Sequence, residues 1–452
     1  MNQLLLQPSD VLFFRDGRPM GGSLSGHGAA WPLPTVTNAA LHAALHRALK
    51  DGEIDKIKVH GHDHHRRSGE RVTDARLFGS LVTAGPFPVL NNDWLFPRPL
   101  DTGPSEEEKS GFSPTLLPLT TGFVRDHSSL PEPLLYPVAN TLGPTKKSPA
   151  NWWNRAAWQS YLGQPVQAPS PACFNDSDFA DFESTYGIGI DPETATQDGE
   201  RFYSAHYLRL RDTGTNPVRL GLLAGALDKV NGDSYHKRDL IEKVFPNSNA
   251  RTPIIVGGQQ RISTVERHTG DPLPLPCGMT TGFHQVEGKQ LIKWVLLTPA
   301  IFDAIGDHPG GWLPSWIHHQ SGEVELLDGP GPNAARRRKV APGQRIRARL
   351  VAALTGKPIP VTGYALPNSA DPDRPDGGAK STHLAVPAGS VYYFEAASPE
   401  AAEKLSAALN WHGSETQPIT IKNRRSTLFG EKGFGLGVCG TWQQHSGKPP
   451  IS

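Results

Sequence analysis

Lys432-Gly-Phe-Gly-Leu-Gly-Val-Cys-Gly440 lies almost at the end of a 452-residue chain, and that position removes one large fold class. Its glycines let the backbone take positive φ and approach a neighbour without interference from a Cβ. Gly435-Leu-Gly437-Val-Cys-Gly440 also spells the Gly-x-Gly-x-x-Gly dinucleotide fingerprint. That fingerprint requires a helix after the last glycine, inside a βαβ unit, with an acidic residue about 20 positions further on. Only Thr441–Ser452 follow here, with Pro449 and Pro450 among them, so no crossover fits. A nucleotide-binding enzyme is set aside on this ground, and no nicotinamide, flavin or other cofactor is expected. Two readings remain. In one, backbone amides at Gly433, Gly435 and Gly437 and the Lys432 ammonium hold phosphate, while an exposed Phe434 ring stacks on a base. In the other, the glycines form a hairpin that closes a sheet.

Outward from the loop, glycine (47) and proline (42) make up about a fifth of the chain, against roughly 12% in average usage. Turns, long loops and short strands are therefore expected rather than a helical bundle. Lys and Arg number 45 against 44 Asp and Glu. A uniformly basic binder is thereby excluded, and any nucleic-acid surface must be a local patch. Cys173, Cys277 and Cys439 are far apart and form no Cys-x-x-Cys pair, as suits a reducing cytoplasm rather than a disulfide framework or zinc site. Leu4–Leu6 reaches Asp10 too soon for a signal-peptide core, and no apolar run has transmembrane length. The expectation is a soluble cytoplasmic protein without a membrane partner.

Cations gather at four places. Asp10-Val-Leu-Phe-Phe-Arg-Asp-Gly-Arg-Pro19 reads as a buried segment ending in a polar turn, with Arg15 and Arg18 projecting and Asp16 between them. Val256-Gly-Gly-Gln-Gln-Arg261 is a second glycine pair followed by a cation. Arg345, Arg347 and Arg349 alternate with Ile346, Ala348 and Leu350, which puts three guanidiniums on one face of a strand. With Arg336–Lys339 just before them, that density favours contact with a polyanion over a solvated edge. Lys432 in the closing loop is the fourth.

Elsewhere the pattern gives structure more than chemistry. Pro34-Thr35 opens a helix whose Leu41, Leu45 and Leu49 recur every four residues. His42 and His46 have metal-ligand spacing but lack the intervening Glu of His-Glu-x-x-His, and they align with Lys50 on a face read as solvated. His60-Gly-His-Asp-His-His65 reads as a polar loop rather than a chelating site, so no metal is expected. Leu81–Leu90 and Asp93–Pro97 form a hairpin through Asn91-Asn92. Asn151–Leu162 reads as a short aromatic helix. The stretch from Tyr186 to Gly199 reads as an arm between strands. Leu291–Leu297 and Val391–Glu395 are strands, and Glu400–Leu409 is a helix with Leu405 and Leu409 inward.

Taken in order, these segments resemble the family of the third subunit of the type III-B CRISPR effector, the Cmr complex, in the RAMP superfamily. The resemblance is carried by Asp10–Pro19, Pro32–Thr35, Trp94–Leu100, Gly187–Tyr203, Gly257–Arg261, Leu297–Ala300, Thr362–Tyr364, Gly389–Phe394 and the closing glycine loop. It implies an α+β fold of two ferredoxin-like (RRM-like) domains, 1–215 and 216–452, with long Gly/Pro-rich loops and an irregular insertion around 101–190. It also implies a non-catalytic subunit that grips the 5′ tag of the crRNA and contacts the large polymerase-like subunit and a backbone subunit. The expected RNA-binding residues are then Arg15, Asp16, Arg18, Arg261, Arg345, Arg347, Arg349, Lys432, Gly433, Phe434, Gly435 and Gly437. Some relatives cut RNA by acid–base chemistry with a histidine. The rival reading is therefore a RAMP-type endoribonuclease acting through His27, His42 or the His60–His65 tract.

Overall fold

Strands whose successive side chains face opposite ways, both faces apolar, build two sheets with a common core between them and a further apolar cluster on the outer face of each. The computed structural model describes residues 1–14, 24–26, 31–55, 77–103, 116–119, 129–140, 148–163, 173–211, 217–228, 239–246, 251–268, 270, 272–365 and 376–444. In β1 (Asn2–Pro8), Leu4 and Leu6 pack on one side and Leu5 on the other. After β2 (Leu12–Phe13), α1 (Pro34–Lys50) lays Leu41, Ala44, Leu45 and Ala48 against Leu4 and Leu6. The expected hairpin follows as β3 (Val82–Leu90) and β4 (Asp93–Pro97), with Asn91 and Asn92 both at positive φ.

The same sheet continues through β5 (Trp152–Asn154) and β6 (Cys173–Phe174), with α2 (Arg155–Tyr161) between them. Asn154 caps α2 by accepting from Ala157 N at 2.9 Å, which ends the strand and starts the helix at one residue. The β7 (Ala180–Ile190) and β8 (Gln197–Leu210) strands form a long hairpin that pairs with β2 rather than with the main sheet. The chain then returns through β9 (Arg219–Gly225), α3 (Leu240–Val244), β10 (Thr252–Ile255) and β11 (Ile262–His268). The main sheet has the order β10-β11-β1-β9-β3-β4-β5-β6.

The C-terminal sheet contains β12 (His284–Val286), β13 (Lys289–Leu296), β14 (Ala348–Leu354) and β15 (Val391–Ala396) in the order β12-β13-β15-β14. A further strand, β16 (Gly437–Thr441), also pairs with β13. Two helices accompany this sheet, α4 (Pro332–Arg338) and α5 (Pro399–Leu409). Ile292, Trp294 and Leu296 of β13 pack with Leu405 and Leu409 of α5, while Leu291 and Val295 face the main sheet. The molecule is a mixture of helices and mostly antiparallel sheets. Among the described residues no helix is long and apolar enough to cross a membrane.

Two sequence expectations are corrected here. A boundary at 215/216 would cut the main sheet, because β9 and β11 flank β1 with Leu6 opposite Leu220 and Leu5 opposite Glu266. The insertion around 101–190 is also not wholly irregular, since Trp152–Asn154 and Cys173–Phe174 extend the same sheet.

The two sheets meet over Leu5, Phe87, Trp94 and Trp158 on one side and Leu291, Val295, Tyr393 and Trp411 on the other. A polar knot sits in this joint. Asp101 accepts hydrogen bonds from the hydroxyls of Tyr161 (2.6 Å) and Tyr393 (3.1 Å), and Lys293 Nζ lies 3.7 Å from its carboxylate and 3.5 Å from the Tyr161 ring centroid.

Candidate nucleic-acid interface

Two motifs far apart in sequence meet at the end of β2. Gly258 N donates to Phe13 O at 2.9 Å, and a Cβ on Gly257 would fall 2.5 Å from the same oxygen. Gly257 holds φ at +79°, so glycine is required both for conformation and for the approach. The turn closes with Val256 N on Arg261 O at 2.8 Å. It delivers the Arg261 guanidinium over the Tyr207 ring of β8, 5.1 Å from the centroid. Gln259 Oε1 accepts from both Arg261 Nη2 (3.1 Å) and the Tyr207 hydroxyl (3.0 Å), which fixes the stack. Asp10 lies between two cations, accepting from Arg209 Nη1 at 2.8 Å and standing 3.7 Å from Arg261 Nη1. Arg209 also pairs with Glu183. Arg15, Asp16 and Arg18 lie outside the described residues, as do His27 and the His60–His65 tract.

Beside this stack, the β7–β8 hairpin carries a feature the sequence reading missed. Phe182 (49% exposed), Tyr186 (69%), Ile188 (48%) and Ile190 (57%) alternate along β7 and share one face. Their period-two spacing was the available signal; the glycines at 187 and 189 made the stretch look like an arm.

The closing glycine loop is packed inside the protein. The Phe434 ring is fully buried among Ile301, Val361 and Ala385, with the Phe429 ring 5.8 Å away. This corrects the expectation of an exposed stacking ring. Gly433, at φ +100°, brings the loop against β3, where a Cβ would meet Ala84 Cα at 2.9 Å and Thr83 O at 3.0 Å. A Cβ on Gly435 would strike the backbone of Ser426, and one on Gly437 the indole of Trp294. These glycines admit neighbouring protein, and β16 closes the C-terminal sheet by pairing with the distant β13 rather than within a local hairpin. Lys432 is half-buried with Nζ 4.2 Å from the Phe429 centroid, and burial lowers its pKa despite nearby Glu431.

The arginine stripe keeps the expected burial alternation, with Ile346 and Leu350 buried while Arg345 and Arg347 are exposed, but of the three arginines only Arg349 lies in a strand, because β14 begins at Ala348. Carboxylates from other segments face it. Arg345 pairs with Glu325 at 3.1 Å, and Arg349 lies opposite Glu395 on β15 and Glu323 on its other flank. Lys289 pairs with Glu395 at 2.6 Å. The groove beside them, about 660 Å³, is lined by four cations and by three carboxylates, Glu287, Glu323 and Glu395, so the strong positive excess expected there is not present.

The histidines of α1 also differ from expectation. His42 and His46 are half-buried, their rings 4.7 Å apart and both against Phe78, with His42 Nε2 3.1 Å from Leu77 O. Burial lowers the His42 pKa. Among the described residues no group of three His, Cys, Asp or Glu could hold a metal ion.

No curated protein matches the chain. Solved structures do resemble it at low identity. One subunit of "Type III-B Cmr-beta bound to cognate target RNA and AMPPnP" is 14% identical, covers 86% of each chain and has a TM-score of 0.39. A second Cmr-beta structure, bound to cognate target RNA, has the same identity and coverage and a TM-score of 0.36. A chain of the Csm3–Csm4 subcomplex of the type III-A interference complex is 10% identical, covers 87% of this chain and 92% of its own, and has a TM-score of 0.33. These distant likenesses carry no part of the assignment. The model of the family described as CRISPR-associated protein (Cas_Cmr3) matches residues 4–442. That span runs from the opening strand to the last, and the chain belongs to this family, that of the third subunit of the type III-B Cmr effector.

Proposed function

We propose that this chain is a non-catalytic RNA-binding subunit of a cytoplasmic type III-B ribonucleoprotein. It holds the repeat-derived 5′ tag of the crRNA and links the large polymerase-like subunit to a backbone subunit. One observation carries the reading: the Asp10–Phe14 segment and the Gly257–Arg261 turn, both part of the family resemblance, meet at a fixed Arg261–Tyr207 stack. A planar cation on an aromatic ring suits unpaired nucleotides, which are recognised by stacking and by guanidinium contacts.

The topology supports two ferredoxin-like units. Chain order β1, β3, β9, β11 becomes spatial order β11-β1-β9-β3, with α1 and α3 in the two connections expected of a β-α-β-β-α-β unit. In the second unit β13, β14, β15 and β16 take the same arrangement, β16-β13-β15-β14, with α5 in its second connection.

Incubating the purified chain with end-labelled repeat RNA, with and without EDTA, tests the reading. A stable complex with intact RNA in both conditions is expected. Cleavage in either would favour a RAMP-type endoribonuclease, and absence of binding would remove the RNA role.

A further inference from the structure

The fold separates the seven cations of Arg336–Arg349 into two surfaces of different electrostatic character. Arg345, Arg347 and Arg349 lie in the groove already described, where Arg345 pairs with Glu325 and Arg349 stands across from Glu323 and Glu395. Arg336, Arg337, Arg338 and Lys339 stand on an excursion of their own. Its neck is tied by Gly343 N on Pro330 O (2.9 Å), Asp328 N on Gln344 O (2.9 Å) and Gln344 N on Asp328 Oδ1 (2.6 Å). The neck strands touch so closely that a Cβ on Gly343 would strike the backbone of Gly329. Within the excursion α4 buries only Ala335, and the four cations are exposed at its end. Lys339 takes a left-handed φ of 55°, which turns the chain back.

Gly329–Gln344 contains no acidic residue. Among the described residues none of the four cations has an acidic partner. Interaction with the carbonyl end of α4 explains a cation in its last turn. It does not explain four in succession with no acid over the whole excursion. Polyanion binding scales with the cations free to neutralise phosphates and release counterions. A guanidinium already held by a carboxylate contributes only by giving up that partner.

We propose that the Arg336–Lys339 excursion is a phosphate contact of this chain, taking the sugar–phosphate backbone of single-stranded RNA without reading bases. The Arg345–Arg349 groove is then not part of that contact. The inference rests on the RNA-binding reading above and places a surface that reading leaves unassigned. An acidic protein is the less suitable occupant, because interface hot spots are mostly Trp, Tyr and Arg anchors held in well-packed, desolvated pockets. The excursion has no aromatic residue, and among its described side chains only that of Ala335 is buried.

The test uses the full chain and fluorescently labelled single-stranded RNA of repeat and of scrambled sequence, titrated over a range of KCl concentrations. Arg337→Gln/Arg338→Gln is compared with Arg345→Gln/Arg349→Gln, and melting temperatures confirm that both variants fold. The first variant should flatten the log Kd–log salt slope by about 1.4, since each neutralised phosphate of a single strand contributes roughly 0.7. It should weaken both sequences alike. The second should leave the slope at the wild-type value. The proposal is overturned if the excursion variant keeps the wild-type slope, a result that would turn attention to an acidic protein partner. It is equally overturned if the groove variant flattens the slope as much. A wild-type chain with no salt-dependent RNA binding would instead remove the RNA-binding reading itself.

Discussion

Lys293 Nζ lies 3.7 Å from Asp101 Oδ2, with both side chains almost wholly removed from solvent at the joint between the two main sheets. Burial lowers the Lys293 pKa and the Asp101 carboxylate opposes that shift. Removing one member of such a pair leaves an uncompensated charge, at a cost of roughly 3–5 kcal/mol. Asp101→Asn should therefore destabilise the chain by about that amount in urea unfolding. Adding Lys293→Met should recover part of the loss, because the stranded charge is then gone. Equal stability of the single and double variants would show that the two residues do not act as a pair.

Phe434→Ala should cost roughly 3–5 kcal/mol, as for truncating a buried ring. RNA affinity per folded molecule should stay at the wild-type level, because the ring offers no face to a base. Melting temperature and affinity measured on one preparation decide the point. An affinity loss with unchanged stability would restore the loop as a ligand site.

What the sequence revealed and what it withheld follow from the range of the interactions. Asn91-Asn92, the Leu41–Leu45–Leu49 repeat and Leu405–Leu409 announce a turn and two helices through neighbours in sequence, and the structure has all three. Phe434 between two glycines looked exposed because nothing local shows that Ala84 and Val361 close over the loop. The stripe looked cationic for the same reason: Glu323, Glu325 and Glu395 come from other segments. The meeting of Gly257 with Phe13 depends on strand order, which no spacing of residues encodes.

Arg261→Lys keeps the charge but loses the planar fork that stacks on Tyr207 and donates to Gln259. Affinity for repeat RNA should fall about tenfold, roughly 1.4 kcal/mol, the order of one charged hydrogen bond lost with the guanidinium fork. The melting temperature should change little. Unaltered binding by the lysine variant would mean that charge alone is needed there.

His412 supplies a pH signature. Its Nε2 accepts from Gly278 N at 2.9 Å, so the ring is held neutral, and burial lowers its pKa to about 4 from 6.5. A lowered pKa means the unfolded chain binds the proton more readily, so this stability is present above pH 6.5 and is lost as pH falls toward 4. Between pH 7 and pH 5 the wild type should lose about 2 kcal/mol through this residue. His412→Gln should remove that part of the pH dependence. An identical pH profile in the variant would place the titration elsewhere.

The most direct measurement is co-expression of the tagged chain with a CRISPR array and its partner subunits, followed by sequencing of the RNA that copurifies. The account predicts small RNAs that begin with one common repeat-derived 5′ tag, depleted when Arg261 is replaced by lysine. Recovery of RNAs without a common 5′ end, or of the assembled protein subunits without RNA, would contradict it.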